Sequence, residues 1–291
     1  VDGDRQIGSV GGALPKPLKA KILDQRGKAI PSYDITFKVT KGGGNFSGNA
    51  TTTVKTDTLT NVAAVTFTLG HTPGDTNNVA EASAIYKNKA LKNSPIRYRA
   101  SATIGEATEL VEVSGNYKRA VVGNPLEEPF IVKVADTFGN PYAGHAVTFT
   151  VKTGGGYLDG NQSKKTVTTN TDVNGKAQVI LTVGTTAGVN NNSVEVVVYK
   201  AGTQTHLTNS PMTFYASATA SAAYALETVS GHDQSRSPVR QALPHPFVVR
   251  VKDRNGNPVP DHPVQWQVVQ GGGTFDGLTD SIKTVNTNAT G

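Results

Sequence analysis

An all-β chain of tandem immunoglobulin-like sandwiches, placed end to end as a rod with the third one incomplete, is the fold the sequence predicts. Three observations carry it. Apolar residues alternate with polar ones at a period of two, as in Phe130, Val132 and Val134 and again in Val147, Phe149 and Val151, which is the mark of strands with one wet and one buried face. Turn chemistry such as Asp136-Thr137-Phe138-Gly139-Asn140-Pro141 separates the strands, with Gly and Asn free to take positive φ and Pro unable to join a ladder. The same sentence is also written three times: Asp24, Asp136 and Asp253 open equivalent turns 112 and 117 positions apart, and Asn93-Ser94-Pro95 and Val113-Ser114-Gly115 each return after 116. A period that long means an array of whole domains and not a solenoid.

The second copy is complete and serves as template. Ala107–Val113 is the expected first strand, with Val121–Val122 continuing it after a break at Ser114-Gly115. Phe130–Val134 and Ala146–Val151 follow, then Lys165–Thr171, whose threonines read as a polar edge. Asp172-Val173-Asn174-Gly175 is a hairpin turn of the Asn-Gly kind. Lys176–Val183 alternates Ala177, Val179, Leu181 and Val183 on one face; Gly184–Asn192 is expected to be loop, Ser193–Tyr199 and Pro211–Thr219 strands. Seven short strands with frequent turns are a sandwich signature. The units run 1–105, 106–221 and 222–291, the last stopping before its final three strands. In the third strand the inner aromatic is Phe37, Phe149 and Trp266 in turn, a place expected to fill the middle of the core.

Turn and core positions together resemble the bacterial Ig-like domain, group 1, of invasin- and intimin-type surface adhesins. The pattern V-x-D-x-x-G-N-P-V-x-x-x-x-V-x-F-x-V-x-x-G-G-G followed by T-D-x-N-G-K-A-x-V-x-L-T is carried by Val134–Gly156 with Thr171–Thr182, by Val251–Gly273, and more loosely by Ile22–Gly44. The resemblance implies a rigid extracellular rod that holds an adhesive tip away from a bacterial cell. The sequence shows no lectin-like receptor-binding domain, β-barrel anchor or peptidoglycan-binding segment, so no receptor-contacting residues carry over.

Composition bounds the function. Charged residues are 17% and cysteine is absent, which argues against a eukaryotic disulfide-linked sandwich but not against a bacterial surface protein. No apolar run is long enough to cross a bilayer and no signal peptide is visible, so a processed or partial chain is expected. The net charge of +6 is uneven: residues 1–105 carry 14 Lys/Arg against 7 Asp/Glu, residues 106–221 carry 8 against 9, and residues 222–291 carry 6 of each. Lys19, Lys21, Lys38, Arg97 and Arg99 fall mainly at outward strand positions, as a solvated face or as a cationic patch for anionic polysaccharide. Nucleic acid is not expected, since no aromatics interleave with these charges.

No catalytic, cofactor or metal constellation emerges. The six histidines are scattered, and His145 and His262 share a repeat position with Tyr33, which suggests a common loop role. The three Gly triplets lie between strands, as hairpin or bulge glycines and not phosphate cradles. Calcium at the junctions would need several carboxylates, whereas Glu106, Glu109 and Glu112 precede the second copy and only Glu227 the third. Asp136–Asn140 and Asp253–Asn257 read as turns. Junction segments 104–106 and 220–223 are neither Gly/Ser tracts nor Pro-rich spacers, so stiff joints are expected. The functional expectation is a non-catalytic stalk segment of a bacterial surface or extracellular protein, without cofactors, whose partners are neighbouring copies or further Ig-like repeats, with cell-surface polysaccharide or a receptor as further candidates, and with no nucleic acid and no membrane insertion by this segment. Two alternatives stand beside it: a filament subunit completed by strands of a neighbour, and an accessory carbohydrate-binding module with Phe138, Tyr142 and Tyr157 as its candidate aromatics.

Overall fold

The computed structural model describes residues 2–235, 237–276 and 280–291, and these contain β-strands and no helix. In the second repeat, five strands form one sheet in the spatial order Lys118–Val121, Met212–Thr219, Gly188–Val197, Ala146–Thr153, Thr166–Asn170. Glu109–Ser114, Phe130–Ala135 and Lys176–Val179 form the facing sheet. The first repeat repeats the larger sheet as Gln6–Ser9, Ile96–Thr103, Gly74–Ser83, Asp34–Lys41 and Thr51–Lys55, faced by Leu18–Ala20 paired with Ala63–Val65.

Each of these sandwiches closes on its own apolar core. Phe130, Val132, Val134, Val147, Phe149, Val179, Leu181, Val194, Val196 and Phe214 pack together in the second, while Leu18, Ile35, Phe37, Phe67, Leu69 and Tyr98 do so in the first. Phe149 and Phe37 are fully buried; truncating either to Ala removes about 3–5 kcal/mol, the usual cost of deleting a core aromatic. In the third repeat Ala225–Ser230 pairs with Val248–Lys252 and Pro263–Gln267 with Ile282–Asn286. Trp266 lies on the same face as Val264, stacked at 6.2 Å on Phe247, but is only half-buried, and Phe247 is 47% exposed. The central core role expected of Trp266 is therefore only partly realised: among the described residues the ring is covered on one side by Phe247, next to the facing strand pair, and stays half-buried.

Several elements differ from the periodicity reading. The first strand does not run through to Val122. At Gly115, with φ of 101°, a Cβ would lie 2.3 Å from the Pro129 carbonyl oxygen, and Gly231 meets Pro246 in the same way at 2.2 Å. The chain swaps sheets at this close crossing, and Lys118–Val121 pairs in parallel with Met212–Thr219. Lys176–Val183 is interrupted where both backbone groups of Ile180 turn to Asp159: the Asp159 N–H donates to the Ile180 carbonyl, and the Ile180 N–H donates to the Asp159 side-chain Oδ1. The expected loop 184–192 is half strand, since pairing with Met212–Thr219 begins at Gly188 and passes through a bulge before Asn192.

The Asn-Gly turn forms, but it is not the expected hairpin: Thr166–Asn170 and Lys176–Val179 on either side of it lie in opposite sheets, so the turn carries the chain from one layer to the other. Asp172 Oδ1 accepts from Asn174 N and Lys176 N at 2.8 Å each, and Gly175 sits at φ 72°. His145 and Tyr33 do share a role: His145 Nε2 contacts the Tyr199 carbonyl at 2.8 Å and Tyr33 Oη donates to the Ile85 carbonyl at 2.6 Å. The repeated Asn-Ser-Pro is a cap, with Ser94 Oγ accepting from Ala84 N and Ser210 Oγ from Val198 N.

Candidate functional site: the joints between repeats

The turn that opens with Asp136 does two jobs. Inside the turn, Asp136 Oδ1 accepts from the backbone N–H of Phe138 and of Asn140, both at 2.9 Å, which is ordinary Asx-turn chemistry. Outside it, Asp136 Oδ2 accepts from Gly105 N in the connecting segment at 3.2 Å and from Asn140 Nδ2 at 2.9 Å. Asn140 Nδ2 also donates to the carbonyl of His71 in the first repeat at 2.8 Å.

The next joint reuses the same atoms. Asp253 Oδ1 accepts from Asn255 N and Asn257 N; its Oδ2 takes Ser221 N at 2.9 Å and Asn257 Nδ2 at 3.0 Å. Asn257 Nδ2 donates to the Thr185 carbonyl at 2.9 Å, and Asn257 Oδ1 accepts from Ala187 N at 2.8 Å. Thr185 follows Gly184 as His71 follows Gly70, so the two joints are the same device. In the first copy Asp24 makes the internal turn bonds to Arg26 N and Lys28 N, and Lys28 stands where the others have asparagine.

The receiving loop is fixed from inside its own domain. Asn78 and Asn192 are fully buried, and their Oδ1 atoms accept from Gly70 N and Gly184 N at 2.9 Å each. Asn77 and Asn191, one position earlier, donate to the carbonyls of Thr72 and Thr186 at 2.7 Å. The Gly triplets belong to this arrangement. A Cβ at Gly184 would fall 1.6 Å from the Gly154 carbonyl oxygen, and one at Gly70 lies 1.7 Å from that of Gly42. Only glycine permits backbones that close, so the first two triplets are packing glycines, while Gly271–Gly273 of the third repeat have open space where a Cβ would stand.

The electrostatics follow from the donor set. Burial at the joint pushes the Asp136 carboxyl upward, but the hydrogen bonds from Asn140, Phe138 and Gly105 outweigh it and hold the group below its ordinary value. Asp253 behaves likewise: burial raises it, and bonds from Asn257, Ser221 and Asn255 bring it down. Both carboxylates face N–H donors, which compete with any cation for the same oxygens. Among the described residues no group of three or more His, Asp or Glu is placed to hold a metal ion.

The joints are otherwise unequal. Phe138 stacks on His71 at 4.0 Å, and its ring lies against Gly11, where a Cβ would come within 2.5 Å of it. Asn255 holds the corresponding turn position in the second joint. Of the aromatics singled out from the sequence, Phe138 is thus a joint residue. Tyr142 packs on the core and meets His145 edge-on at 5.5 Å, and Tyr157 is half-buried in a short strand. The basic residues of the first repeat do not gather into one patch. Lys19 lies in the smaller sheet and Lys21 just beyond it, while Lys38, Arg97 and Arg99 lie in the larger, where Glu81 binds Arg97 at 2.7 Å. His71 and the Asn-Asn pairs were not singled out from sequence; the recurrence of Asn-Asn at 77–78 and 191–192 was the signal that could have found the loop.

No family model and no curated protein matches the chain. Solved structures do. The chain is similar to invasin, a bacterial integrin-binding protein, at 16% identity over 99% of this chain and 53% of that one, with a TM-score of 0.39. Domains 4–9 of the surface layer protein SbsC match at 12% identity over 99% of this chain and 42% of that one, TM-score 0.30. A Ca2+-stabilized adhesin with which an Antarctic bacterium binds ice matches at 13% over 77% and 48%, TM-score 0.22. The chain therefore spans about half the length of these proteins, and nothing of what they bind passes to it at such identities.

Proposed function

We propose that this chain is a stiffened stalk segment of a bacterial cell-surface or extracellular protein, built from Ig-like group 1 repeats and without catalytic chemistry. The observation that carries this reading is the joint: one carboxylate and one amide tie the turn of each incoming repeat to the connecting segment and to a pinned loop of the repeat before it, twice over. A flexible linker would need none of these bonds. The arrangement limits bending at the junction and transmits load through backbone carbonyls. The family assignment draws on the turn and core motif, and the surface location on the same resemblance.

Small-angle scattering on the chain tests the reading. An extended particle whose maximum dimension is kept within a narrow range is expected. The paired substitution Asn140→Ala with Asn257→Ala should broaden the distance distribution while the melting of the individual domains changes little. A compact globule, or a distribution insensitive to both substitutions, overturns the stalk reading. A second reading draws on the partly covered inner face of the third repeat, with Phe247 exposed and Trp266 half-buried: strands of another molecule complete it, and the chain is a filament subunit. Ordered fibres in electron micrographs of the purified chain would favour that reading, and dispersed single particles would remove it.

A further inference from the structure

Apart from the joints, the second repeat carries an exposed aromatic pair that its fold does not require. Tyr117, the residue just before the strand Lys118–Val121, sits at φ 58°, an unfavourable conformation for a bulky side chain. Its N–H donates to the Tyr215 carbonyl at 2.8 Å. The two rings lie 5.9 Å apart and within 16° of parallel, and they are 65% and 37% exposed. Asn116 locks the corner: its Oδ1 accepts from Tyr117 N and Tyr215 N at 3.0 and 2.8 Å, and its Nδ2 donates to Glu112.

The first repeat builds the same corner without an aromatic. Arg5, at φ 57°, donates from its N–H to the Arg99 carbonyl at 2.7 Å, and Asp4 Oδ1 accepts from Arg99 N at 2.7 Å. Arginines thus stand where the second repeat has tyrosines. Both sandwiches close, so the ring pair is an addition to the scaffold; the positive φ belongs to the corner itself, since Arg5 and Asp233 take it at 57° and 56° without a ring pair, and at Tyr117 it sets the ring beside that of Tyr215.

We propose that Tyr117 and Tyr215 form a stacking platform for a neutral glycan chain. The parallel register sets exposed Arg119 beside half-buried Ser217 next to the rings, whereas Ser193, opposite Tyr215 on the neighbouring strand, is buried and bonded to Thr153 Oγ1 at 2.8 Å, so Ser217 supplies the hydroxyl of the border. Glu195, held by Lys152 at 2.9 Å, lies opposite Thr213 one step further along. The surface is a sheet face with two aromatic rings and a border of guanidinium, hydroxyl and carboxylate groups. A small apolar molecule needs a concavity, and a folded protein partner needs a wider apolar centre than two rings. A polyanion finds little attraction in a repeat with 8 Lys/Arg against 9 Asp/Glu. A pyranose ring fits: its C–H face lies on an aromatic ring, and its hydroxyls reach the polar border. The platform is independent of the joints, so the stalk reading can fail without it.

Isothermal titration calorimetry of the whole chain with cellohexaose, chitohexaose and laminarihexaose decides the matter. Binding of at least one of them is expected, at least tenfold weaker in Tyr117→Asn, a residue that tolerates the left-handed conformation. It should vanish in Tyr117→Arg with Tyr215→Arg, which recreates the corner of the first repeat. Thermal unfolding establishes that each variant is folded, and Tyr117→Asn decides if the double variant is not. Absence of heat with all three sugars on the native chain, or affinity unchanged in the folded variants, overturns the proposal.

Discussion

Asn140 and Asn257 each use one side-chain amide to satisfy an aspartate in their own turn and a carbonyl in the preceding repeat. Removing one such amide exchanges a hydrogen bond to a charged group for water, about 1.5–3 kcal/mol at the joint. Asn257→Ala should therefore free the third repeat to reorient, read as a loss of common alignment in residual dipolar couplings between residues on either side of Ser221. Acid acts on the same bonds. Both aspartates are held below their ordinary values in the folded state, so their contribution is complete above the unfolded value and is lost as pH falls through the folded one. The joints should stay closed through the neutral and mildly acidic range and loosen only below about pH 4, the ordinary aspartate region. The carboxyl carbon shifts of Asp136 and Asp253, followed by NMR, check this; release at pH 6 would contradict it. Gly184 makes the tightest backbone approach among the glycines of the second repeat. Gly184→Ala places a methyl 1.6 Å from a carbonyl oxygen, and destabilisation of roughly 3 kcal/mol or more is expected in chemical denaturation.

Strands differ in how much of their surface is satisfied. Gly188–Val197 is paired on both sides and its inner residues Val194 and Val196 are fully buried. Thr166–Asn170 is an edge whose threonines answer those of the next strand, Thr148 Oγ1 to Thr168 Oγ1 at 3.0 Å and Thr150 Oγ1 to Thr166 Oγ1 at 3.3 Å. Such polar pairing occupies side chains that a sticky edge would leave free. The third repeat lacks this economy. Its pairs Ala225–Ser230 with Val248–Lys252 and Pro263–Gln267 with Ile282–Asn286 have few buried residues, Val251 being the buried apolar one among the described residues. Two-stranded pairs are marginal alone. In the 291-residue chain, amide exchange in these strands should be orders of magnitude faster than in Gly188–Val197 or Gly74–Ser83, and limited proteolysis should cut beyond residue 222 first. Equal protection across all three repeats would show that the open face is covered.

The whole chain divides its stability and its mechanics between different residues. Two apolar cores hold the sandwiches, and each joint rests on a few hydrogen bonds with, at the first, the His71–Phe138 stack. Stability and stiffness should accordingly separate. Substitutions in the cores lower melting temperatures, whereas the joint substitutions change the distance distribution in scattering and leave melting of the sandwiches nearly in place. A variant in which both properties fall together would mean that the repeats fold as one unit through their joints.

Much of this was legible in sequence. The period of two marked the inner faces, Asp-x-x-Gly-Asn marked the turns, and repetition marked the units, because strand alternation and turn conformation are local properties that residue type controls directly. What the sequence left open concerned contacts between distant segments. That the second oxygen of Asp136 serves Gly105, that Asn140 reaches His71, that the first two Gly triplets meet Gly70 and Gly184, and that Tyr117 stacks on Tyr215 all depend on where separate pieces of chain lie in space. A turn aspartate reads the same in sequence whether its outer oxygen faces water or a neighbouring repeat. Only the folded arrangement of three copies decides which it is.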